Sequence, residues 1–354
     1  MTVRRAARLV SILAAVLILL FGIAYAAFAD VRYITRAAIA EAGILHRSRP
    51  IVDVVADNTT DPRVRAKLLL VIAARAWAHD SLGLTTGDTY TTYSQLDHDT
   101  LVLVLSAAPN DKLEPYTWSF PVVGRVPYKG FFDPAAALSE AQKLQRAGLD
   151  TYVRPASAFS TLGWFNDPLL STVVRDDSSD LAATIIHETL HNTLFLKGHV
   201  DFNESLAEFT GYRGAELFFR SRGDSVNARR SAARWRDIQR LARFYEALVA
   251  RLDRVYKSGA SGPQIQAARN QVFSDALEQM AGPLAAELET INGKRLAERP
   301  LNNASLLAER VYGTGLDRFD RFLDAHGGDL RASIAAIKRL TAGGGNPWAV
   351  LGMQ

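Results

Sequence analysis

Residues 181–196, LAATIIHETLHNTLFL, are apolar almost all the way round when wound as a helix. A helix of that kind has no face to give to water, so the rest of the chain has to enclose it. Ser178, Ser179 and Asp180 offer N-caps before it and Gly198 a stop after Lys197, which predicts a helix from about Asp180 to Lys197. Inside this enclosed body stand His187, Glu188 and His191. The neighbours of Glu188 at three and four residues are Thr184, Ile185, His191 and Asn192, none of them a Lys or Arg. A buried carboxylate without a cation is costly, and a divalent metal could supply the missing charge.

The spacing fits that solution. His187 and His191 lie one turn apart on one face, while Glu188 is rotated by about 100° and can reach a water at the metal without ligating it. The chain has no cysteine. Disulfides, thiolate metal sites, Cys nucleophiles and a lipid-anchor cysteine are therefore excluded, and any metal must be held by nitrogen and oxygen. Zinc with an open position needs a third protein ligand. A metzincin would have Gly three residues and His six residues after His191, where this chain has Leu194 and Lys197; His199 comes at eight. Glu204 opens a new helical stretch, NESLAEFTGYRGAELFF, and a chain reversal at Gly198 would turn it back to face the histidines. Glu208, one turn further, suits a carboxylate that accepts the other N–H of a ligand imidazole. The competing readings are a satisfied pair of core histidines and a solvated acidic helix face.

The surrounding chain has 354 residues, enough for a sizeable core. Its N-terminus differs from the rest: Arg4, Arg5 and Arg8 precede LVSILAAVLILLFGIAYAAFA, a run without charge. Ala27-Phe28-Ala29 suits a signal-peptide cleavage site, but a length near the ~20 residues that span a bilayer favours a retained transmembrane anchor. Positive charge on the N-terminal side leaves the remainder outside the cytoplasm, on the periplasmic face of the inner membrane in a Gram-negative cell. Lys and Arg exceed Asp and Glu by only 41 to 37 and are spread out, with no nucleic-acid-binding motif, so no nucleic acid partner is expected.

Helical periodicity covers about 31–82, punctuated by Pro50 and Asp61-Pro62. TLVLVLSAAP, YTWSFPVVGRVPYKGFF and DTYVRP then read as three to five strands of a small sheet over about 98–155, interrupted by a helix that Asp133-Pro134 opens and Gly148 ends. Zinc helices at about 180–222 and a helical C-terminal part at about 225–340 follow. The Arg-rich stretch from Asn227 to Gly259 reads as a solvated helix face. The expected fold is α+β and mostly helical, one metallopeptidase domain from 31 to 354 behind an N-terminal segment of 30 residues.

H-E-x-x-H followed by Asn203-Glu204 is similar to the gluzincin metallopeptidases, whose aminopeptidase members carry an N-E-G-F-A-E type segment that NESLAE matches. The interval between His191 and Glu204 is shorter than the gluzincin norm. FPVVGRVPYKGFFD, STLGWFNDPLLST, HETLHNTLFLKG and FNESLAEF, in this order, resemble the bacterial family of putative aminopeptidases, a predicted zinc peptidase family of the cell envelope. The resemblance extends from HRSRPI at residue 46 to LNNASLLAERVYGTGLDRF. It implies His187, His191 and Glu204 on one zinc ion per chain, with Glu188 as the catalytic glutamate acting on a zinc-bound water. Without a lipobox cysteine, the apolar N-terminal segment takes over attachment.

Peptide or protein substrates follow from this. Asn203 and Glu208 are expected to support the ligands. Tyr128, Tyr152, Tyr212 and Tyr312 are candidate donors to the oxyanion, with Tyr312 preferred for its place after LNNA, and Trp164 and Phe165 are candidate walls of the substrate cleft. Zinc endopeptidase action is the nearest alternative, and a zinc-binding envelope scaffold is the alternative of a different class.

Overall fold

The computed structural model describes residues 3–96, 102–120, 124–156, 168–311 and 313–352. Trp164, Phe165 and Tyr312 lie outside the described residues.

The chain starts with α1 (Val3–Ala27) and α2 (Ala29–Arg47), separated by the extended backbone of Phe28. Within α1, Leu9–Ala27 has a mean hydropathy of 2.7 and none of it is buried, so it is long and apolar enough to cross a membrane. β1 (Arg49–Pro50), α3 (Ile51–Ala56) and α4 (Pro62–Leu82) follow. Asp61 caps α4 by accepting from Arg63 and Val64 N–H, and Gly83 ends it in the left-handed region.

Next come β2 (Thr92–Ser94), β3 (Val102–Pro109), β4 (Trp118–Phe120), β5 (Gly124–Val126), β6 (Tyr128–Phe131), α5 (Pro134–Arg146) and β7 (Leu149–Ala156). β8 (Leu169–Leu170), α6 (Ser171–Val174), α7 (Ser178–Thr193), α8 (Val200–Ser221), α9 (Ser225–Tyr256) and α10 (Gly262–Gln279) lead into the helical C-terminal part. That part continues through a π-helical turn at Met280–Leu284 to α11 (Ala285–Glu287), α12 (Gly293–Ala297), α13 (Asn303–Arg310), α14 (Leu316–Ala325) and α15 (Leu330–Thr341).

The sheet expected over about 98–155 is divided. β3 pairs antiparallel with β6 on one side and β7 on the other, placing Val104 opposite both Gly130 and Arg154. β4 and β5 form a separate antiparallel pair. A third sheet, β1-β2-β8, uses residues outside that range. Its strands are two or three residues long, too short to show alternation in the sequence.

Alternation along β3 splits its residues between two environments. Leu105 joins Phe131 and the Ala137, Ala141 and Leu144 stripe of α5, while Ala108 and Tyr152 pack with Ala304 of α13. β6 and β7 are the two edge strands of this sheet. α2 docks against β6: the Tyr33 ring meets Phe131 edge-on at 6.1 Å, with Lys129 Nζ 4.7 Å above the Tyr33 centroid, and also stacks on Phe120 of β4 at 5.6 Å.

The main core encloses α7, as its composition requires. Leu68, Val71 and Ala74 of α4, Phe202, Leu206 and Phe209 of α8, Trp235 of α9 and Phe319 of α14 are buried with Leu181, Ala182, Ile185 and Ile186 of α7.

Two expectations change. α7 ends at Thr193 rather than near Lys197, because Leu194 is already extended (φ −148°, ψ 114°). The Arg-rich face of α9 is not simply solvated: Arg230 pairs with Asp177, Arg234 with Asp180, and Arg236 and Arg240 with Glu289. Buried Asp237 accepts the N–H groups of Glu289, Thr290 and Ile291. These partners are distant in sequence, so a composition reading could not find them.

Candidate metal centre

α7 is held at its start by Asp177, whose side chain accepts from Ser179 N at 2.9 Å and Asp180 N at 3.0 Å. Its apolar positions fix the rotation of the helix in the core, which puts His187 and His191 toward α8. α8 runs back along α7 after Gly198, whose φ of +85° makes the reversal in the region open to glycine.

Two features set the distance and register of this helix pair. Gly211 approaches so closely that an added Cβ would stand 2.7 Å from the Ala183 carbonyl oxygen and 3.3 Å from His187 Cβ. Asn203, buried, donates to Leu196 O at 2.8 Å and accepts from Leu196 N at 2.9 Å, so its amide clamps the backbone of the connector. Glu204 is the next residue and shares a face with Glu208 and Gly211.

His187, His191 and Glu204 come together with their ligand atoms all within 4.8 Å of one another. The two Nε2 atoms are 3.2 Å apart. His187 Nε2 stands 3.3 Å from Glu204 Oε2, and His191 Nε2 stands 3.6 Å from Glu204 Oε1. Two ligands at zinc–ligand bond lengths on a tetrahedral ion stand about 3.3 Å apart, so the spacing fits one such ion. The donor set, two imidazoles and a carboxylate, is one that zinc accepts.

Glu208 Oε2 lies 3.4 Å from His187 Nδ1. That contact favours the tautomer whose Nε2 lone pair faces the group. His191 Nδ1 is buried and has no hydrogen-bond partner among the described residues. His199 takes the N-cap position of α8 and stays outside the group.

The charges around the group favour a cation. Burial works against protonating His187, but hydrogen bonding to Glu204 and Glu208, with the nearby Glu188 charge, overrides it and raises the imidazole to about 10. Burial also works against ionising Glu204, yet the two histidines bring its carboxyl down to about 2. Glu188 is half-buried, and no cation pairs with it among the described residues.

Of the three candidate tyrosines among the described residues, Tyr128 is the one whose hydroxyl feels Glu204. Burial first, and the Glu204 charge second, push its pKa up, while Arg154 works in the other direction. Tyr212 instead donates to Asp180 Oδ1 at 3.1 Å, at the far end of α7. Tyr152 is buried and interacts with Glu309, Arg299 and Arg154. The sequence offered no ground for preferring Tyr128, because its approach to α8 depends on how β6 packs. A signal for the close helix contact was present: Gly211 recurs seven residues after Glu204, on the same helical face.

A family model described as putative aminopeptidase matches residues 32–346. No curated protein and no solved structure matches the chain.

Proposed function

The chain belongs to the putative aminopeptidase family, and on that premise we propose that it is a zinc-dependent peptide hydrolase of the cell envelope, acting as an aminopeptidase. The observation that carries this reading is the convergence of two imidazole Nε2 atoms and the Glu204 carboxylate at 3.2–3.6 Å, with Glu188 beside them.

His187, His191 and Glu204 would hold the metal. Zinc bound there supplies a Lewis acid that polarises a scissile carbonyl and makes water more acidic. Glu188 accepts a proton from the water that attacks the carbonyl carbon. As the C–N bond breaks, the same carboxyl returns that proton to the leaving amine. Glu208 keeps the proton of His187 on Nδ1 and so orients the ring. Tyr128, about half exposed and with its hydroxyl coupled to the Glu204 charge, would donate to the oxygen that gains charge.

Leu9–Ala27 serves as the membrane anchor in this reading. The arginines before it leave residues from Asp30 onward outside the cytoplasm.

The test is metal analysis combined with digestion of a peptide library. About one zinc per chain and stepwise trimming from the N-terminus are expected. Glu188→Gln should keep the zinc and lose at least about a hundredfold in turnover, the scale of general-base catalysis. Internal cuts would replace the aminopeptidase reading with endopeptidase action, and a Glu188→Gln variant as fast as wild type would remove Glu188 from the reaction.

A further inference from the structure

Past residue 50 the described residues expose three aromatic rings, Tyr116, Tyr128 and Phe195, and two of these adjoin the candidate metal centre. Phe195 is 58% exposed, and its ring lies edge-on to His191 with centroids 6.0 Å apart. Val200, 54% exposed, lies one turn before Glu204 on α8.

The exposure of Phe195 is built in. The Asn203 amide holds the Leu196 backbone at both its N–H and its carbonyl, and Leu194 is extended. Side chains alternate along extended backbone. Leu194 and Leu196 accordingly pack against the main core, and Phe195 between them points away from it. A ring turned to water beside a buried charged group is not core packing. Exposed apolar surface at the mouth of a polar site is the usual lining of a ligand pocket.

We infer that Phe195, with Val200 across the Gly198 reversal, forms the apolar wall of a subsite for the substrate side chain next to the scissile bond, and that this subsite selects bulky apolar residues such as Leu and Phe. The inference rests on the peptidase reading above and adds the substrate class. Lys197 and Asp201 are exposed on the same connector and first turn, so the wall is an apolar spot with a polar rim.

The test uses the zinc-loaded full-length chain in detergent and amino-acid hydroxamates, which bind a metal centre without being turned over. Calorimetry should show phenylalanine and leucine hydroxamates binding about tenfold or more tightly than glycine hydroxamate, the discrimination a hydrophobic pocket supplies. Phe195→Ala should reduce that ratio to within about twofold while Phe195→Leu retains most of it, with zinc content measured for each variant.

Equal binding of all three hydroxamates by wild type, absence of hydroxamate binding, or an unchanged ratio in Phe195→Ala overturns the inference. The two readings fail separately. Discrimination that depends on Phe195 without cleavage of any peptide would keep the subsite and remove the peptidase. Peptide cleavage with no Phe195-dependent preference would do the reverse.

Discussion

Glu204 and Glu208 stand one turn apart on the same helix and are similarly buried, yet they face different atoms of the same imidazole. Glu204 Oε2 meets His187 Nε2 and Glu208 Oε2 meets His187 Nδ1. The first contact puts an oxygen in the ligand group; the second acts on the group through the ring. Glu204→Ala should therefore abolish zinc retention in a chelator competition, while Glu208→Ala weakens it about 10- to 100-fold, as loss of an orienting carboxylate does. Equal retention by the two variants would exclude Glu204 as a ligand. At this scale the sequence was informative about the shared face of His187 and His191, because i and i+4 share a face of any helix. It was less informative about the tyrosines, since only the packing of β6 distinguishes Tyr128 from Tyr152 and Tyr212 among the described residues.

At the scale of elements, the site depends on the approach of α7 and α8. With an added Cβ 2.7 Å from the Ala183 carbonyl oxygen, Gly211→Ala must push the helices apart. We expect a loss of about 1–3 kcal/mol in urea unfolding, the usual cost of overpacking, together with weaker zinc binding as Glu204 retreats from the histidines. A variant with unchanged stability and unchanged zinc affinity would show that the contact does not set the site.

The start of α7 carries a second test. Burial, then the charges of Asp180 and Asp177, raise the Asp176 carboxyl to about 6, against the partial relief of Lys67 and Arg234. A carboxyl whose pKa is higher in the folded than in the unfolded chain costs stability once it is ionised in both states. That cost is fully present above about pH 6 and vanishes below the unfolded value near 4. Asp176→Asn should therefore raise the melting temperature at pH 7.5, and the advantage should shrink to nothing by pH 4. A constant difference across this range would show that the Asp176 charge is not its cause.

Over the whole molecule, α2 joins the apolar N-terminal helix to the edge strand that carries Tyr128. Tyr33 lies six residues after Ala27 and already stacks on Phe120 beside β6. Removing residues 1–28 deletes the apolar span and spares this contact. The shortened chain should partition into the aqueous phase, where the full chain needs detergent, and should still bind about one zinc. Loss of zinc binding on this truncation would mean that the span supports the fold as well as the attachment. The C-terminal helices contribute differently: Asp237 and Glu289 connect α9 to the turn before α12, and the arginines expected on a solvated face are used in connections of this kind.

The sequence alone determined that an enclosed helix starts near Asp180 and carries His187 and His191 on one of its faces, and that the N-terminal run is apolar enough to span a bilayer. These follow from short-range periodicity and transfer free energies, which depend on the local chain. It also placed the cap and stop of α5, because Asp133 and Gly148 act on adjacent backbone, whereas α7 is capped by Asp177 rather than by the expected Ser178, Ser179 or Asp180. Tertiary structure decided how closely Gly211 lets α8 approach, that Asn203 clamps the Leu196 backbone beside the outward-facing Phe195, which tyrosine hydroxyl feels the Glu204 charge, and which carboxylates reach His187. Each of these depends on distances between segments brought together by burial, and the spacing of residues along a chain does not encode such distances.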